Sequence, residues 1–375
     1  MKLMKTKLFF NGLNELRAFA ALAVVFHHIE LYKDFMNINS LYDVSIAKSF
    51  IENLGKKGVY LFFVLSGFLI TYLLLEEKLV TGKISVSKFY SRRILRIWPL
   101  YFIILGVGFF LLPFVHNTFP SFFETQTFFN ERIDNLVYGK NLLLFLFFFS
   151  NIALSVFGMV AGASQSWSVS VEEQFYFIWP WIIKFFSNIL WIVLLLIIIV
   201  MSVINYKINS FVSFPFLQAF LASFNIDFMA IGGIIAIVYR NYKDIVQKVV
   251  TNKVLIVLVF VSVIFHLLYP ISHVTLGLSF GLLILIFIEN NVKIKLFSEL
   301  GKWSYGIYMY HPMVMYFSFA LVDKMDITSF VGRNLAYYVL IIGITISMSY
   351  FSYKYIELYF LKLKDKVSLV TSGNL

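Results

Sequence analysis

The 375-residue chain has no cysteine, and only 14% of its residues are charged, against roughly 25% in an ordinary soluble domain. The first absence excludes thiol catalysis and a disulfide-stapled secreted module. The second excludes a soluble enzyme, because a water-facing exterior needs polar side chains that a chain 60% hydrophobic and 19% aromatic does not supply. There is no long Gly/Ser/Pro-rich stretch, so a disordered tail does not fit either. Acidic residues are scarce, 20 against 31 Lys and Arg, giving a formal charge of +11. In a membrane protein that excess arises because Lys and Arg accumulate in cytoplasmic loops, so it calls for no nucleic-acid partner. No zinc motif, phosphate loop, dinucleotide fingerprint or nucleophile-elbow serine is visible, and no metal or serine-nucleophile chemistry is expected.

What the chain does have is apolar length. Eleven runs near the ~20 residues needed to cross a bilayer recur from end to end. They are roughly 9–30, 58–75, 94–112, 141–157, 172–187, 189–206, 213–238, 254–270, 274–289, 303–322 and 334–360. Continuous runs exclude the alternating pattern of a β-barrel. The expected fold is all-α and polytopic, one membrane domain over 1–360 followed by a short basic cytoplasmic tail at 361–375. The first run reads as a retained span rather than a signal peptide, since no small-residue cleavage site follows it.

Charge orients the spans. Five segments are basic: the N-terminus (Lys2, Lys5, Lys7), 78–96, 240–253, 293–302 and the C-terminal tail. Segments 30–57, 113–140 and 323–333 mix both signs and are expected outside. An odd number of crossings must then separate 113–140 from 240–253, yet four apolar runs lie between. One of them does not cross. The Phe/Leu run 141–157, lying in the interface or folding back, is the expected exception, which leaves about ten crossings with both termini cytoplasmic.

An ionisable group inside a span costs at least ~2.5–3.5 kcal/mol, so each is a functional candidate. Arg17 and His28 lie 11 positions apart on the first run, three turns plus about 20°, so they share a face at about 16 Å separation. They are expected to look into one cavity at two depths, Arg17 offering a planar fork to phosphate or carboxylate and His28 a base. Spacing alone fits equally a snorkelling Arg17 and a His28 bonded to a neighbouring span. His27 points about 100° away. Arg93 and Arg96, at i and i+3, share a face before the third span, where they either grip a phosphorylated cofactor or mark topology. Glu172 and Glu173 sit in an apolar context and must be solvated, paired or protonated, unless they face water beside a belt of Trp167, Trp179 and Trp181. The run WSYGIYMYHP places Tyr305, Tyr308 and His311 in a late span, with Tyr305 and His311 on different sides; they are candidate substrate-site residues or packed polar groups. Gly58, Ser66 and Gly67 permit close helix approach, and Asp227 is expected to pair with an inward Arg.

Assembled in order, these motifs resemble acyltransferase family 3, the bacterial integral-membrane acyltransferases that modify cell-envelope glycans. The resemblance rests on LNELRAFAALAVVFHH with its Arg-x10-His, GVYLFFVLSGFLIT, FYSRRILRIWPLY with its R-x-x-R, WSVSVEEQFYFIWP and SYGIYMYHP, five motifs in register across 14–312. It departs at Tyr60, where relatives often carry Asp. The resemblance implies acyl-CoA, usually acetyl-CoA, as a cytoplasmic donor held by Arg17, Arg93 and Arg96. It implies a glycan or lipid-linked sugar as acceptor, with His28 catalytic and Glu172 or Glu173 orienting it. Many relatives carry an extracytoplasmic hydrolase-like domain; the expectation here is a stand-alone form in the cytoplasmic membrane, acting directly or through a separate extracytoplasmic transferase. The rival reading is a transporter or flippase of lipid-linked sugar, with the same residues as a proton relay.

Overall fold

The computed structural model describes residues 6–8, 10–211, 215–269, 272–367 and 370–372. Lys2 and Lys5 of the basic N-terminus, and part of the C-terminal tail, lie outside them. The expectation of an α-helical protein is met by eighteen helices among the described residues. The first group is α1 (Leu13–Phe35), α2 (Ser45–Thr81), α3 (Val86–Gly106), α4 (Leu112–Thr118) and α5 (Thr127–Asp134). Then come α6 (Lys140–Leu146), α7 (Ser150–Phe157), α8 (Ser166–Phe186), α9 (Leu190–Phe211), α10 (Pro215–Ser223) and α11 (Ile226–Asn241). The chain ends with α12 (Lys243–Val250), α13 (Lys253–Leu268), α14 (His273–Glu289), α15 (Lys295–Lys302), α16 (Ser304–Asp323), α17 (Phe330–Ser352) and α18 (Leu358–Val367). One addition to the all-α expectation is a parallel pair of three-residue strands, β1 (Thr6–Leu8) with β2 (Val370–Ser372), which joins the two ends of the chain.

Helix α2 is the axis of the bundle, packed against α1 on one side and α11 on the other. Small residues make that approach close: a Cβ on Gly67 would stand 2.0 Å from the Met229 carbonyl oxygen, and one on Gly232 2.2 Å from that of Val64. Gly58 meets the Ala20 carbonyl of α1 in the same way, at 2.9 Å.

The basic segments meet at one end of this bundle. There β1 pairs with β2, Arg240 bonds Glu76 at 2.7 Å, Arg92 bonds Glu77 at 2.9 Å, Asn290 donates to the Val250 carbonyl, and Asn11 donates to Asn291. Glu15 accepts there from the Ile294 amide and the Ser298 hydroxyl. The three mixed segments meet at the other end. Asp323 accepts from Thr125, Gln126, Arg333 and Tyr337, while Lys324 pairs with Glu124. Buried Glu30 collects the Leu41 amide, the Lys33 ammonium and the Tyr338 hydroxyl.

The 141–157 run folds back. Tyr138 donates to the Phe109 carbonyl and Phe145 packs on Phe109; the bend at Phe148, with φ 60°, packs on Tyr101 and Trp98 of α3. After α7 the chain is level with Gly108 again, since a Cβ there would strike Ala163 and the Ala161 carbonyl. A break inside a bundle leaves backbone groups that need partners. The Tyr101 hydroxyl donates to the Phe145 carbonyl, Gln174 to the Phe148 carbonyl, and the Ser150 amide to Ser170.

Among the described residues four helical stretches, Ser45–Thr81, Val86–Thr118, Phe216–Asn241 and Phe330–Lys366, are long and apolar enough to cross a membrane, and α12 with α13, bent by 77°, makes a fifth if the pair is one broken span. Helices α1, α8 and α16 fall outside that group because they carry the polar side chains described next. The boundary expected at 360 falls within α18, which packs on α3 and buries Leu361 and Lys364.

Candidate active site

Residues from five helices line a cavity. Its walls carry Arg17 of α1, Ser66 of α2, Arg93 and Arg96 of α3, Glu172 and Tyr176 of α8, and Tyr305 and Tyr308 of α16. Three arginines expected on spacing to bind an anion therefore converge in three dimensions. Arg92, their neighbour, turns away to Glu77. Arg93 lies over the Tyr176 ring at 5.5 Å, and its Nε is buried with no hydrogen-bond partner, a donor left over for a ligand. Arg17 donates to Asn14 at 3.2 Å.

The adjacent glutamates separate. Glu172 lines the cavity and accepts from the Ser66 hydroxyl at 2.8 Å and the Tyr176 hydroxyl at 2.9 Å. Glu173 turns to Trp98, whose indole N–H donates to it at 3.1 Å, and keeps one buried oxygen without a partner. The aromatic-belt alternative fails at Trp179, which is fully buried and donates to Thr71. Ser66 sits between packing glycines, so its role as a carboxylate ligand was invisible in the sequence.

His28 does not line this cavity with Arg17. Its partner is His311, with Nδ1 of His28 2.7 Å from Nε2 of His311 and the rings nearly parallel at 4.9 Å. The expectation that Glu172 or Glu173 orients the imidazole is thus corrected: neither bonds it, because both are turned toward α2 and α3. The second bond of His311 fixes the proton positions. Its Nδ1 lies 3.3 Å from the Ile307 carbonyl, which can only accept, so Nδ1 carries the hydrogen and Nε2 accepts. His28 must then donate from Nδ1, which leaves its Nε2 with a free lone pair. The ring of Tyr308, a wall of the cavity, lies 5.9 Å from that of His311, and its hydroxyl is held by Ser168 at 2.7 Å and the Gln165 carbonyl at 3.0 Å. Tyr305 faces the cavity instead and donates to the Ile97 carbonyl, so Tyr305 and His311 do face different sides.

His27 bonds the Tyr42 hydroxyl at 2.8 Å rather than either member of the pair, with its ring 5.0 Å from that of His28. Asp227 is buried, but its neighbour is His273 at 3.4 Å rather than an arginine, since His273 begins the adjoining helix α14. No cluster of metal-ligating side chains occurs among the described residues.

The site is thus an arginine-walled cavity within a helical bundle, beside a histidine pair of which His311 is fully buried and His28 partly so. The family described as an acyltransferase domain, acyltransferase family 3, matches residues 10–354, and the chain belongs to it. Among curated proteins it is similar to the O-acetyltransferase OatA of Staphylococcus aureus, 25% identical over 92% of this chain and 56% of that protein. It is also similar to the peptidoglycan O-acetyltransferase OatA of Listeria monocytogenes, 30% identical over 45% of this chain and 23% of that protein. The putative peptidoglycan O-acetyltransferase YrhL of Bacillus subtilis is 32% identical over 45% of this chain and 23% of its own length. The chain thus spans about half, or less, of the relatives it matches. No solved structure matches.

Proposed function

We propose that this protein is a membrane O-acetyltransferase that takes an acetyl group from acetyl-CoA at the end where its termini meet and passes it to a sugar hydroxyl of a cell-wall glycan at the opposite end. In this reading the terminal end is cytoplasmic and the chain crosses the bacterial cytoplasmic membrane about ten times. The observation that carries the proposal is the arginine-walled cavity, one of whose lining residues, Tyr308, has its ring 5.9 Å from that of His311. Arg17, Arg93 and Arg96 hold the donor's phosphates, and the slim acyl-pantetheine arm occupies the cavity they wall. Displacement of the Tyr308 ring joins that cavity to the histidine pair. Nε2 of His28 takes the acceptor hydroxyl proton while the oxygen attacks the thioester carbonyl; the C–S bond breaks, and the thiolate leaves with the proton held by His28. Glu172, whose two oxygens accept from Ser66 and Tyr176, balances the arginine charge rather than acting on the imidazole.

The test uses the full chain in nanodiscs with acetyl-CoA and soluble peptidoglycan fragments, following free thiol and acetylated product by mass spectrometry. Acetylated sugar with one thiol released per acetyl is expected. Movement of lipid-linked sugar with no consumption of acetyl-CoA would establish the transporter reading instead.

A further inference from the structure

A second cavity opens at the terminal end and adjoins the first, sharing Arg17, Leu69, Arg96, Ser304 and Tyr305 with it. Its other walls come from parts of the chain that sequence reading assigned to topology alone: Lys302 at the end of α15, and Lys364 of α18. Tyr353, Glu357, Leu361 and Lys364 line it from one stripe, spaced four, four and three residues apart. Tyr353 and Glu357 bound a π-helical turn between α17 and α18, and such turns recur at functional sites because the extra residue re-aims the face that follows.

The charge balance of this cavity is uneven. Arg17, Arg96, Lys302 and Lys364 face it, against a single lining carboxylate, Glu357, which accepts from Ser352 at 3.3 Å. Lys302 also reaches Glu299 at 2.7 Å, and Lys364 reaches Asp365 at 3.7 Å. Lys364 is only 7% exposed. Holding several cations in a partly desolvated space is costly unless an anion joins them.

We infer that Lys302 and Lys364 form a second phosphate subsite, and that α18 caps the donor mouth with the phosphate-rich nucleotide end of the donor beneath it. This rests on the acyl-CoA reading above. The two cavities divide the ligand by chemistry: phosphates stay where four cations converge, and the arm, which carries no charge, goes on past Arg17 and Arg96 into the space lined by Phe62, Phe63 and Tyr308. The same cations would also hold the phosphate of an anionic lipid headgroup, so lipid composition is one arm of the test.

The full chain is placed in nanodiscs of zwitterionic lipid, and affinities are measured for CoA, for 3′-dephospho-CoA and for S-acetylpantetheine, which has no phosphate. Lys302→Ala and Lys364→Ala should each weaken CoA binding by about tenfold, the loss expected for one charge-assisted hydrogen bond, and leave S-acetylpantetheine binding unchanged. Lys364→Arg should retain affinity, which separates loss of charge from misfolding. Lys362→Ala and Lys366→Ala, on the exposed face of the same helix, should match the parent. Parent-like CoA affinity in both Lys302→Ala and Lys364→Ala overturns the subsite while leaving the donor reading intact. A defect that appears only when phosphatidylglycerol is added to the nanodiscs assigns the cations to lipid and overturns it too. If the parent binds no CoA, the donor reading itself falls and the subsite with it.

Discussion

At the scale of single residues, the histidine pair makes a prediction that depends on proton positions rather than on mere presence. His28→Ala should keep acetyl-CoA binding and lose transfer by ~10²–10⁴-fold, as for a general base. His311→Ala should also lower kcat, since the imidazole of His28 would lose the acceptor that fixes its tautomer. His311→Gln should recover part of that loss, because the amide oxygen sits near the place of Nε2 and can accept from Nδ1 of His28. Steady-state rates for the three variants check this: equal rates in His311→Ala and His311→Gln would reduce His311 to packing. His27→Ala, whose ring bonds Tyr42, should keep the parental kcat. Spacing alone placed Arg17 and His28 on one face of α1. It could not find the His28 partner, which lies 283 residues away and is selected only by how α16 packs on α1. Nor could it separate Glu172 from Glu173, since neighbouring residues on a helix point about 100° apart and only the packing of α2 and α3 says which points into the cavity.

At the scale of elements, the folded-back segment α6–α7 stands on three side chains that receive its broken backbone. Tyr101→Phe and Gln174→Leu each leave a buried carbonyl unpaired, at a cost of about 1–3 kcal/mol. Both variants should unfold at lower temperature in detergent, and Tyr101→Phe should show an unchanged KM for acetyl-CoA because it does not line the cavity. A Tyr101→Phe protein as stable as the parent would mean that the Phe145 carbonyl finds another partner. Gly67→Ala should be worse than either, since its Cβ would strike backbone on α11 rather than a movable side chain. The parity of charged loops announced that one apolar run among four had to be anomalous. The run 141–157 is the expected exception, but its composition does not locate the bend, because Phe148 adopts its positive φ in a run of phenylalanines where no glycine marks the turn. Of the five helices that carry the site, α2 and α3 lie in readily recognised apolar stretches, whereas α1, α8 and α16 do not.

At the scale of the whole molecule, the fold sorts charge. Basic segments scattered over the chain gather at one end with β1 and β2, and the mixed-sign segments gather at the other around Asp323 and Glu30. Because the two strands pair, residues 6–8 and 370–372 lie on one side of the bundle, so an even number of crossings is expected between them. The proposed function puts this end in the cytoplasm, in line with the positive-inside tendency. The lack of native cysteine makes this directly testable, since any introduced thiol is the only one present. Lys243→Cys at the terminal end and Glu131→Cys at the opposite end are both exposed substitutions far from the cavity walls. A membrane-impermeant maleimide added to intact spheroplasts should label Glu131→Cys and spare Lys243→Cys, which should react only after the membrane is opened. Labelling of Lys243→Cys in intact spheroplasts would reverse the orientation. It would put the arginine mouth outside, where no acetyl-CoA reaches it, and so would remove the donor from the mechanism while leaving the bundle unchanged.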